Sequence, residues 1–167
     1  VAPDRNQIYL LGILLGLGLP GGLIFLRAFL DNKVYSRQDV EKITRAPFVG
    51  TIGTSENEAA VVVKRNSRSS VAEMFRLLRT NLNYLSGGDQ NDKVTLITSS
   101  ISGEGKTFIS INLGMSEALA GKKTILLGFD LRKPKLSRYL TGEQSPVGLT
   151  SYLVEIATEE DIIQPLA

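Results

Sequence analysis

Residues 93–107 read Lys-Val-Thr-Leu-Ile-Thr-Ser-Ser-Ile-Ser-Gly-Glu-Gly-Lys-Thr, and the rest of the chain is best read outward from them. The first six form a β-branched run of the kind that makes a buried parallel strand. A loop of small residues follows, then Gly105-Lys106-Thr107, then a helical pattern from Phe108 to Ala120 that Gly121 stops. Strand, glycine loop, Gly-Lys-Thr and helix is the setting of a phosphate-binding loop. Glycines at 103 and 105 let successive N–H groups turn toward phosphate oxygens, and a helix starting near Lys106 adds its positive end. The candidate nucleotide-binding residues are Ser102, Gly103, Glu104, Gly105, Lys106, Thr107 and Phe108. Lys106 is the catalytic candidate that reaches the β- and γ-phosphates of ATP, and the Thr107 hydroxyl is a candidate Mg²⁺ ligand. The loop departs from G-x-x-x-x-G-K-[ST] at its first glycine, where Ser100 stands. The blander reading is an ordinary strand–loop–helix connection.

Downstream, residues 124–130 (Thr-Ile-Leu-Leu-Gly-Phe-Asp) read as a second strand. The expected fold class is therefore α/β, a P-loop NTPase-type doubly wound parallel sheet, truncated here. Strands 94–98 and 124–129 would be joined by a right-handed helical crossover. Asp130 would then end beside the loop, as a second catalytic candidate and Mg²⁺ ligand. An acidic strand end is also a common surface feature.

Upstream, residues 70–85 carry Phe75, Leu78, Leu82 and Leu85 at helical spacing, with Ser70 and Glu73 placed for a capping box and Gly87-Gly88 as a stop. Glu73, Arg76 and Arg79 share a polar flank of that helix. By spacing alone they read first as a solvated face with a local ion pair, and second as an intersubunit contact. Residues 31–69 read as a juxtamembrane linker, with a short helix capped by Ser36 and Asp39 and extended pieces near 47–52 and 61–63. Residues 54–59 and 65–70 are polar and expected to be exposed.

From Ile8 to Leu26 there are 19 residues without a charge, about 28 Å as a helix, which suits a transmembrane span. Arg5 alone precedes it, whereas Arg27, Lys33, Arg37, Lys42 and Arg45 follow, so the remainder is expected in the cytoplasm. Gly12, Gly16, Gly18 and Gly22 permit close helix approach, and Pro20 is a candidate kink. The organisation read from this is a membrane helix over 1–30, a linker over 31–69 and a partial cytoplasmic P-loop domain over 70–167. With no Cys and no His, disulfides, thiol or His-based catalysis and Cys- or His-ligated metals are excluded. A net charge of +2 gives no reason to expect a nucleic-acid partner. The chain opens on Val1 rather than Met, so it reads as a piece of something longer.

Taken together, these residues resemble the bacterial tyrosine kinases fused to polysaccharide co-polymerases, the chain-length determinants of capsule and exopolysaccharide export. The matching pieces, in the family's order, are the membrane helix, Ala46-Pro-Phe-Val-Gly-Thr-Ile, Glu73-x-x-Arg76-x-x-Arg79, the loop from Thr98 to Thr107, Asp130-Leu-Arg132-Lys-Pro134 and Gly148-Leu-Thr-Ser-Tyr-Leu153. The resemblance implies Mg-ATP as cosubstrate and trans-phosphorylation of tyrosines within a homo-oligomeric ring. It implies that Glu73, Arg76 and Arg79 help form that ring, reversing the spacing-only reading. It further implies the bacterial inner membrane as location, with membrane lipid, the polysaccharide polymerase and export machinery and a phosphotyrosine phosphatase as partners. Three departures stand out. Gly128 occupies the place of the family's first aspartate in Asp-x-Asp-x-Arg, Ser102 stands for a proline, and no Walker B strand or tyrosine-rich tail is present. On these grounds the fragment is expected to be a poor catalyst by itself. The competing readings are a nucleotide-binding co-polymerase scaffold without kinase activity and a partitioning- or septum-type ATPase. The latter carries a signature lysine where Ile101 stands. A soluble metabolic P-loop kinase leaves the apolar helix unexplained.

Overall fold

The computed structural model describes residues 5–31, 33–34, 36–54, 59–87, 94–131, 134–143 and 145–166. Gly88, Lys93, Arg132, Lys133 and residues 55–58, all drawn on above, lie outside that set. The chain divides into two compact units, Val1–Phe48 and Val49–Ala167.

In the first unit, helix α1 (Arg5–Phe29) spans 25 residues with Pro20 inside it and none of its residues buried. Its most apolar 18-residue window has a mean hydropathy of 2.1, so the helix is long and apolar enough to cross a membrane. At about 37 Å it exceeds a typical hydrocarbon core, and Arg27 lies in its last turn. Helix α2 (Arg37–Ile43) begins at the expected box: the Asp39 N–H donates to Ser36 Oγ, and the Ser36 N–H donates to Asp39 Oδ2 at 3.0 Å. Arg37 pairs with Glu41 at 2.7 Å and lies 5.0 Å over the Phe48 ring.

In the second unit, helix α3 (Ser70–Leu85) and helix α4 (Lys106–Leu119) pack against each other. The core is Val63, Val71, Ala72 and Phe75, walled by Ile52, Val62, Leu78, Phe108, Ile109 and Met115. Phe75 is 0% exposed and meets Phe108 edge-on, with ring centroids 5.6 Å apart. The cap of α3 is displaced by one residue from expectation. Ser69 Oγ, not Ser70, accepts from the Ala72 N–H, and Glu73 pairs with Arg76 instead of folding back to a capping box. Short helices α5 (Leu136–Thr141), α6 (Leu149–Leu153) and α7 (Glu159–Ile162) complete the unit.

The expected doubly wound parallel sheet is not formed, and this corrects the α/β assignment. All regular secondary structure among the described residues is helical. Residues 94–98 and 124–129 carry no regular secondary structure, leaving Val94 at 94%, Leu96 at 82% and Phe129 at 68% exposure. The reason lies in parallel pairing itself. A two-stranded parallel sheet must have both faces covered to persist, and an isolated strand pair is marginal in water. Leu126 of the second segment seats closely on α4. It crosses at Gly114, where a Cβ would stand 2.6 Å from Leu126 Cδ2.

Candidate functional site

The site is assembled at the N-terminus of α4. Two left-handed residues, Gly103 (φ +94°) and Gly105 (φ +92°), fold the loop so that Lys106 and Thr107 open the helix. Side chains adopt that region only with strain, which is why glycine stands at both turns. Gly105 serves as the N-cap and offers no side-chain acceptor, so the first-turn N–H groups remain directed out of the helix end.

Lys106 is turned back onto its own loop. Its Nζ donates to Ser99 Oγ at 2.6 Å and to the Ile101 carbonyl at 3.1 Å. Glu104 closes the other side, its Oε2 accepting from the Ile101 N–H at 3.2 Å. That N–H, then the Ser99 hydroxyl, with the Lys106 charge adding, hold the Glu104 carboxyl below the usual carboxylate range. Glu104 is therefore ionised at neutral pH, and its loop contact weakens as pH falls through that lowered value. The arrangement is a lysine ammonium, a carboxylate and backbone donors around one tight turn.

Of the sequence-derived candidates, the structure brings together Glu104 and Lys106 through Ile101 and Ser99, with Gly103 and Gly105 shaping the turn. Thr107 lies in the first turn of α4, and Phe108 packs against Phe75 at the edge of the core. Ser102 is exposed on the loop. Asp130 is exposed at the end of the unpaired segment after Leu126. Among the described residues no three acidic side chains gather to hold a metal. The donor chemistry of the loop fits a polyphosphate: one ammonium, an adjacent hydroxyl and a helix N-terminus.

The polar flank of α3 is engaged within the chain. Arg76 pairs with Glu73 and donates to the Ser67 carbonyl at 2.9 Å. Arg79 Nη1 donates to the Ser116 carbonyl of α4 at 2.7 Å.

Two residues escaped the sequence reading. Ser99, the near partner of Lys106, looked like any small loop residue. Asn112 is 0% exposed and fully satisfied. Its Oδ1 accepts from the Val62 and Val63 N–H groups at 2.8 and 3.1 Å, and its Nδ2 donates to the Ala60 and Phe108 carbonyls at 2.8 and 2.9 Å. The signal was the spacing Phe108-x3-Asn112-x3-Ser116, an amide on an otherwise inward-facing helical stripe.

The loop delivers a lysine and a threonine to a helix N-terminus through two left-handed glycines. The chain is homologous, at modest identity, to bacterial tyrosine-protein kinases. It is 36% identical over 110 residues to tyrosine-protein kinase YwqD of Bacillus subtilis (strain 168), covering 66% of this chain and 46% of that one. It is 37% identical over 100 residues to tyrosine-protein kinase CpsD of Streptococcus agalactiae, covering 60% and 42%. A longer match, 26% identical over 176 residues, joins 98% of this chain to 24% of tyrosine-protein kinase ptk of Acinetobacter johnsonii. The chain thus spans under half the length of the curated relatives it matches. No family model matches it.

Proposed function

We propose that this chain is the nucleotide-binding portion of a membrane-anchored bacterial protein tyrosine kinase acting in capsule or exopolysaccharide production. The observation that carries the proposal is the glycine turn presenting Lys106 and Thr107 at the head of α4. Homology to proteins named as tyrosine kinases supports it. In this reading Mg-ATP displaces the internal partners of Lys106. The ammonium leaves Ser99 Oγ and the Ile101 carbonyl and neutralises the β- and γ-phosphates. The first-turn N–H groups and helix dipole would hold the phosphate oxygens, and Thr107 and Asp130 would be the oxygen ligands of a magnesium that neutralises phosphate charge. Glu104 is a like charge beside that site, so its carboxylate must swing away from Ile101 as phosphate arrives. Phosphoryl transfer to a tyrosine hydroxyl then rests on positioning and charge neutralisation, without a covalent enzyme intermediate. Helix α1 anchors the protein in the bacterial inner membrane with the loop on the cytoplasmic side. Copies of the chain assemble into a ring, on which the export machinery, a phosphatase and lipid act.

A second reading, a nucleotide-gated scaffold without kinase activity, is favoured by Gly128, where the resembled family carries an aspartate. One experiment separates them. The full-length protein in detergent is incubated with Mg-ATP and probed for phosphotyrosine beside Lys106→Met. Phosphotyrosine in the wild type and none in the variant is the expected result. ATP binding without phosphotyrosine in either protein leaves the scaffold.

A further inference from the structure

We propose that Arg79 is a positioning residue: it fastens the C-terminal end of α4 and thereby sets where the helix presents Lys106 and Thr107. The proposal rests on the nucleotide-binding reading for its functional half, and on geometry alone for its structural half.

The last four carbonyls of a helix lack intrahelical partners unless something caps them. In α4 the Ala120 N–H, which would ordinarily reach Ser116, turns to Glu117 and Ala118, while Gly121 donates to Ala118 and Lys122 to Glu117. The Ser116 carbonyl is left for Arg79 Nη1 at 2.7 Å, from a half-buried guanidinium. A cation at this end also opposes the negative pole of the helix. One turn further along α3, Asn83 Oδ1 accepts from Lys122 Nζ at 3.1 Å, a second and exposed tie to the same end. At the other end of α4, Phe75 of α3 packs against Phe108, the residue after Thr107. Helix α3 therefore grips α4 at both ends, with Phe75 and Arg79 a single turn apart on α3. The guanidinium thus has a partner on a neighbouring helix of its own chain.

The test uses full-length protein in detergent at a concentration where it is monomeric, comparing Arg79→Ala, Arg79→Lys and Arg76→Ala with wild type. Amide exchange is read over residues 113–122, and Mg-ATP binding by titration. The alanine variant at 79 should exchange there about tenfold faster, the scale of a lost charge-assisted hydrogen bond at a half-exposed site. Lysine keeps the charge and one donor, so Arg79→Lys should return most of the protection, and Arg76→Ala should leave it unchanged. Mg-ATP affinity should fall severalfold in Arg79→Ala and recover in Arg79→Lys. Unchanged exchange in monomeric Arg79→Ala overturns the clamp. Faster exchange with unaltered Mg-ATP affinity overturns the positioning role. Wild type that binds no Mg-ATP, with exchange still arginine-dependent, sinks the nucleotide reading and leaves the clamp standing.

Discussion

Helix α4 and the irregular segment 122–131 are neighbours in sequence, and both are rich in apolar residues. Their fates differ. Ile111 and Leu113 of α4 are buried, whereas Ile125, Leu127 and Phe129 stand open to water. A helix satisfies its backbone internally, so one amphipathic partner is enough to fix it. A strand satisfies nothing until another strand lies beside it, and a parallel pair then needs cover on both faces. The lesson is that apolar content alone does not place a segment in the core; the bonds its backbone requires decide whether it arrives.

Six substitutions break or sharpen that contrast. Phe75→Ala should cost about 3–5 kcal/mol in urea unfolding of the detergent-solubilised chain, because it opens the α3–α4 core. Leu96→Ala, in the open segment, should stay within about 0.5 kcal/mol. Equal losses at the two positions would mean residues 94–98 are packed after all. Asn112→Leu should cost about 3 kcal/mol by the same measurement, since the Val62 and Val63 N–H groups and the Ala60 carbonyl lose their partner in a buried site. Ser69→Ala should cost about 1 kcal/mol while Ser70→Ala is near neutral, and the reverse order would restore the cap to the later serine. At Gly114→Ala the net change should stay within about 1 kcal/mol. The added methyl crowds the tip of half-buried Leu126, which can rotate away, and the gain in helix propensity of about 1 kcal/mol offsets much of that strain. A loss well above 1 kcal/mol there would mean that Leu126 is pinned and the segment firmly docked.

What the sequence disclosed and what it hid follow the same division. Helices α1, α3 and α4 and the Ser36 cap were legible because period, charge and capping are local. The turn at Gly103 and Gly105 and the place of Lys106 at the head of α4 were legible for the same reason. The sheet was misread because strand pairing is a long-range property, and a β-branched run reports propensity without naming a partner. Asn112 went unnoticed because its four hydrogen bonds reach mostly to residues 60–63, some fifty positions earlier. Arg79 was legible as a charged helix residue, but the carbonyl it serves lies on another helix. In the candidate site, the partners of Lys106 were hidden because Ser99 and the Ile101 carbonyl carry no pattern that singles them out.

The stripe Phe108, Asn112 and Ser116 has a mechanical consequence. At each successive turn α4 meets a different kind of partner: an aromatic ring, a set of backbone amides and carbonyls, and a guanidinium. Sliding the helix by one turn, about 5.4 Å, would bring each of these against the wrong chemistry. The helix therefore cannot travel as a piston along its axis. Any stroke that ligand binding produces is confined to the few residues ahead of Lys106, where the lysine and Glu104 can exchange their internal partners for external ones.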